Sequence, residues 1–85
     1  MPYQVIIPKP VQKQLDMLPP EIRDVIITKV IELKDNPRPH GCVKLKGYQQ
    51  EYRIRIGSYR VSYEIDDETS TVALLHCMHG KDIYR

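Results

Sequence analysis

Residues 51–66 read EYRIRIGSYRVSYEID, with apolar and polar side chains alternating on either side of Gly57-Ser58. A period of two is that of a strand with one face against a core. A two-residue loop beginning with glycine between two such runs is a favoured hairpin turn. With the turn at Gly57-Ser58, Ile56 lies opposite Tyr59, Arg55 opposite Arg60, Ile54 opposite Val61 and Arg53 opposite Ser62. One face then collects Tyr52, Ile54, Ile56, Tyr59, Val61, Tyr63 and Ile65, and is expected to meet the rest of the fold. The other face carries Glu51, Arg53, Arg55, Arg60, Ser62 and Glu64.

Working outward, the polar turn DDETS (66–70) leads into TVALLHCM (71–78), whose nearly continuous apolar character suits a strand covered on both faces. The tail HGKDIYR (79–85) is short enough to be a loop or a single helical turn. Upstream, YQVII (3–7) reads as a short strand ended by Pro8 and Pro10. Val11, Leu15 and Leu18 are spaced for one face of a short helix over 9–18. Pro19-Pro20 breaks that helix and opens a second, in which Ile22, Val25, Ile26, Val30 and Leu33 keep the helical period until Asp35-Asn36-Pro37. The expected order is β-α-α-β-β-β: an α+β domain in which a two-helix hairpin packs on a mainly antiparallel four-stranded sheet. Residues 1–85 make one domain, large enough to bury only about 60–65% of the unfolded surface, so its stability margin is thin.

Composition excludes several classes. No stretch approaches the roughly 18 apolar residues of a membrane span, and the N-terminus lacks the pattern of a signal peptide. Two cysteines in such a chain are expected to be reduced thiols, with the cytoplasm as the default location. A metal site is not expected: His40, Cys42, His76, Cys77 and His79 do not have a standard zinc spacing, and His76 and Cys77 alternate on a strand. The net charge is only +2, but six cations (Arg38, Lys44, Lys46, Arg53, Arg55 and Arg60) and one anion, Glu51, fall within residues 38–60. The remainder is net negative. Segregation of this kind gives a local positive field suited to a nucleic acid or another polyanion.

The arginine face of the hairpin sharpens that reading. Arg55 directly opposite Arg60 is an unfavourable like-charge pair, which a bound anion relieves. Guanidinium also fits phosphate in a bidentate manner and stays charged at any working pH. The plain alternative is a solvated face on which Glu51 and Glu64 neutralise the arginines. Cutting an RNA linkage needs more: a base for the 2′-hydroxyl, cations for the phosphorane charge and an acid for the 5′-oxygen. Arg53, Arg55 and Arg60 suit the second task, and His76, His79, Lys81 or Tyr84 are candidates for the others.

KLKG (44–47), YRIRIGSYRVSYEID (52–66) and HGKDIYR (79–85) together resemble the RelE/ParE superfamily of bacterial toxins from type II toxin–antitoxin modules, closer to its RelE branch, over essentially the whole chain. The resemblance implies a microbial-RNase-like α+β fold and an mRNA interferase. Such an enzyme cleaves mRNA in the ribosomal A site through the message's own 2′-hydroxyl, with neither metal nor cofactor. It implies as partners a cognate acidic antitoxin, the ribosome and mRNA, operator DNA only through the antitoxin complex, and no membrane. By position, Arg53 and Arg55 match the family's paired strand cations, Arg60 its transition-state arginine and Tyr84 its C-terminal tyrosine. Where the family commonly has an arginine before that tyrosine this chain reads Met78-His79-Gly80, so Gly80 takes the position and Lys81 is expected to fill the role. The expected catalytic set is therefore Arg53, Arg55, Arg60, Lys81 and Tyr84. The expected RNA-binding set is Lys44, Lys46, Arg53, Arg55, Arg60 and His79. A ParE-like gyrase inhibitor and a non-catalytic module docking an acidic partner are the competing readings.

Overall fold

The computed structural model describes residues 2–45, 47 and 50–83. In chain order the elements are β1 (Gln4–Ile6), α1 (Lys9–Asp16), α2 (Pro20–Glu32), β2 (Val43–Lys44), β3 (Glu51–Ile56), β4 (Tyr59–Asp66), β5 (Thr71–His79) and α3 (Gly80–Ile83). Pro8 and Pro19 occupy the N-cap positions of α1 and α2 in extended conformation, and Pro10 and Pro20 fall in their first turns, where a missing N–H costs nothing.

The sheet has five strands in the order β1-β5-β4-β3-β2, one more than the four expected. The addition is β2, whose two residues pair Val43 with Arg53 and Lys44 with Tyr52. Two residues carry no periodicity, so nothing in the sequence alone marks them as a strand. β1 lies parallel to β5 and all other neighbours are antiparallel. The β3–β4 register is the one the turn dictates, with Gly57 at φ +61°, a conformation that glycine adopts without strain.

The helices α1 and α2 and the sheet contribute to one core: Val11 and Leu15 from α1, Ile26 and Val30 from α2 with Leu33 just beyond it, and Ile54, Ile56, Val61, Tyr63, Ile65, Val72, Leu74 and Cys77 from the strands. Val25 departs from the helical expectation and is 53% exposed, because α2 turns Ile26, Val30 and Leu33 fully inward and leaves Val25 on its flank. Tyr63 is wholly buried, and its hydroxyl donates to the Pro37 carbonyl at 2.8 Å while its ring stacks on Tyr52. Burial raises its pKa. These two tyrosines thus belong to the core.

The strand β5 is not covered on both faces. Val72 and Leu74 are buried, Ala73 and Leu75 half-buried and His76 exposed. Its alternation is broken by a bulge: Ser62 pairs with His76, yet the next residue, Tyr63, pairs with Leu74, so Leu75 is the extra residue. Beyond the bulge the inward positions become odd-numbered, with Cys77 buried. The Gly80 N–H donates to the Ser58 carbonyl at 2.7 Å, tying the single turn of α3 to the hairpin. Among the described residues no helix is long and apolar enough to cross a membrane.

Candidate functional site

The arginine face of the hairpin is built by alternation and pinned by the turn. Arg55 pairs with Arg60, and Arg53 with Ser62 two positions further from the turn. Arg55 is exposed; Arg53 and Arg60 are half-buried. Arg55 Nε donates to the Gly57 carbonyl at 3.2 Å and Arg60 Nη1 to the Tyr59 carbonyl at 3.3 Å. Arg60 also lies against Gly80, where a Cβ would come within 3.3 Å of Nη1 and 3.4 Å of Cζ. The bare backbone at Gly80 therefore gives the Arg60 guanidinium its place.

None of the three guanidiniums has a carboxylate partner among the described residues, whose ion pairs are Lys29–Glu32 and Arg38–Asp67. Glu51 and Glu64, the acids on this face, stand opposite each other. They lie four residues along the strands from the Arg55–Arg60 pair, about 13 Å at strand rise. That exceeds the screening length of about 10 Å in 0.1 M salt, so the acids do not neutralise the pair. Charge is thus separated along the hairpin, positive at the turn and negative at the open end.

Not every predicted site residue joins this face. Lys44 pairs with Tyr52, which sends it to the opposite side of the sheet from the arginines. There it lines a groove of about 490 Å³ with Arg38, Gln50, Asp66 and Asp67. His79 pairs with Tyr59 and meets its ring edge-on at 5.2 Å, again on the helix side of the sheet. Its Nδ1 accepts the Lys81 N–H at 3.3 Å. With Ile22, Val25, Ile56 and Tyr59 it lines a largely apolar groove of about 500 Å³. Strand parity separates both residues from the arginine face. Lys81 is exposed at the start of α3, next to the Gly80 that Arg60 touches. Lys46 and Tyr84 lie outside the described residues. His76, by contrast, faces outward with the arginines through its pairing with Ser62. The signal that would have placed it, the bulge at Leu75, is a property of the pairing and leaves no mark in the sequence.

The result is a small α+β domain with helices on one side of its sheet and, on the other, three arginines with no ion-paired carboxylate among the described residues, an arrangement whose charge suits an anion. Residues 5–84 match the family described as the ParE toxin of the parDE type II toxin–antitoxin system. The chain is 34% identical over 86 residues to Toxin RelG of Mycobacterium tuberculosis, covering 100% of this chain and 99% of that one. It is 32% identical to Toxin RelE3 of Methanocaldococcus jannaschii, covering 95% of this chain and 94% of that protein. Among solved structures, the archaeal RelE–RelB complex from Pyrococcus horikoshii superposes with a TM-score of 0.83 at 29% identity, covering 94% of this chain and 97% of its own. The chain belongs to the RelE/ParE superfamily of toxins from type II toxin–antitoxin systems, and within it is related to RelE.

Proposed function

We propose that this toxin is a metal-independent endoribonuclease that cleaves mRNA on the ribosome, gripping the scissile phosphodiester with Arg53, Arg55 and Arg60. The observation that carries the reading is the set of three guanidiniums on one sheet face with no carboxylate ion-paired to any of them among the described residues. Attack by the 2′-oxygen on phosphorus builds negative charge on the phosphorane oxygens, and fixed cations stabilise that charge more than they do the ground state. Arg60, held between the hairpin backbone and Gly80, is the best preorganised of the three. Lys81 and Tyr84 remain the proposed proton-handling and base-contacting groups of the tail. The natural site of action is the cytoplasm, where ribosomes are.

The Pyrococcus horikoshii relative was solved in complex with RelB, and the cationic face here calls for an acidic antitoxin as its inhibitor, with operator DNA reached through that complex. The family match under the name ParE favours a second reading, inhibition of DNA gyrase without RNA chemistry. Primer extension on messages from cells expressing wild type or Arg60→Ala separates the two. Cuts at codon-defined positions in ribosome-bound mRNA, reduced by about 10²–10³-fold in the variant, are expected. Intact messages together with DNA damage would instead establish the gyrase reading.

A further inference from the structure

We infer that His76 is the general base of this site, taking the 2′-hydroxyl proton of the RNA, and that the β5 bulge is what delivers it there; the inference rests on the nuclease reading above. Three observations carry it. In an unbroken β5 the side chains of Val72, Leu74 and residue 76 share one face, and Val72 and Leu74 are fully buried. The extra residue Leu75 reverses the parity, and His76 emerges on the outer face while Cys77 takes the inward position. A bulge leaves a backbone group out of the ladder, and bulges re-aim side chains beside active sites.

The second observation is the company His76 meets. A row across three strands runs Arg53, Ser62, His76, and the adjoining row runs Arg55, Arg60, Met78. Directly opposed Cβ atoms are about 5 Å apart, so Arg53 and His76 flank a strip roughly 10 Å wide. Arg60 lies diagonal to both. Ser62 is the floor between them, and its short side chain leaves that space open to a ribose and its phosphate.

The third is chemical. Histidine is the side chain that ordinarily exchanges a proton between about pH 5 and 8, and an imidazole within reach of a phosphate held by guanidiniums can deprotonate the neighbouring 2′-hydroxyl. In the step, the 2′-O–H bond breaks and its proton passes to the unprotonated ring nitrogen. The 2′-oxygen bonds to phosphorus, the bond from phosphorus to the 5′-oxygen breaks, and that oxygen takes a proton from the Lys81 ammonium, the tail's proposed proton-handling group, which water then reprotonates. The products are a 2′,3′-cyclic phosphate and a 5′-hydroxyl. The charged groups facing His76 are Arg60 and Glu64, diagonal on β4, with Arg53 beyond Ser62. β1 (Gln-Val-Ile) ends opposite Ala73 and brings none, and α1 packs against β5 with Val11 and Leu15 in the core and Gln14 accepting the Cys77 N–H at the strand's open edge.

The test is single-turnover cleavage of ribosome-bound mRNA by wild type, His76→Ala, His76→Gln and Arg60→Ala between about pH 5 and 8, alongside ribosome binding and thermal melts. Wild-type rates are expected to rise with pH. Both His76 variants are expected to melt and bind as wild type does, to cleave about 10²–10³-fold more slowly, and to lose the rising limb. Added imidazole should restore cleavage to His76→Ala and not to Arg60→Ala. An active wild type with His76 variants as fast as it, or slow ones that keep its pH profile and gain nothing from imidazole, overturns the assignment and leaves the nuclease reading standing. A wild type that cuts no message overturns both.

Discussion

Arg55 and Arg60 face each other across the hairpin with no carboxylate ion-paired to either among the described residues, so their repulsion weighs on the fold. Like charges directly opposed in a sheet cost about 0.2–1 kcal/mol, a noticeable fraction of what an 85-residue domain has to spare. Replacing Arg55 by Glu converts the pair into an attractive one. Arg55→Glu is therefore expected to melt a few degrees above wild type while losing mRNA cleavage. Calorimetry beside the primer-extension assay checks both halves, and a lower melting temperature would mean that repulsion at this pair is negligible. The arginines could be located from the sequence because a two-residue turn fixes register, and register fixes faces. His76 could not, since its face depends on one unpaired residue whose insertion changes no composition.

Among the elements, the hairpin and both helices were legible for the same reason: each is long enough to show a period. β2 and the bulge were not, being two residues and one residue long. Nor was the latch that ties β1 and the β4–β5 turn to the segment after α2. Arg38 Nη2 donates to Asp67 Oδ2 at 2.8 Å, the Tyr3 hydroxyl donates to Asp67 Oδ1 at 2.6 Å, and Arg38 Nε reaches the Tyr52 hydroxyl at 3.2 Å with its guanidinium over the Tyr52 ring. The hydrogen bonds from Arg38 and Tyr3 hold the Asp67 carboxyl below its ordinary value. A carboxyl depressed by folding contributes stability that is complete above its unfolded pKa, about 4, and is lost as the pH falls through the folded one. Wild type should therefore lose melting temperature below about pH 4 more steeply than Asp67→Asn, which lacks the titrating group. At neutral pH the order is simpler, with Asp67→Asn melting lower. Parallel acid-side slopes for the two proteins would show that the latch contributes nothing. The site is exposed, so the effect should shrink in salt.

For the whole molecule, the modest net charge conceals a cationic face on a thinly stable domain, and both features point to a partner. A ligand present at a hundredfold its dissociation constant adds about 2.7 kcal/mol to a protein that it binds only when folded. For a domain of this size that raises the melting temperature by on the order of 10 °C. An equimolar acidic antitoxin at micromolar concentration is expected to give a shift of this kind and to block mRNA cleavage, and an unchanged melt would remove the acidic-inhibitor reading. Salt then distinguishes how the partner is held. If the arginine face carries the contact, the shift should diminish towards 1 M salt, where the screening length is about 3 Å, and Arg60→Ala should weaken it. The groove of Ile22, Val25, Ile56 and Tyr59 lies on the other side of the sheet. A shift that survives 1 M salt and ignores Arg60 would move the partner to apolar surface of that kind, leaving the guanidiniums to RNA alone.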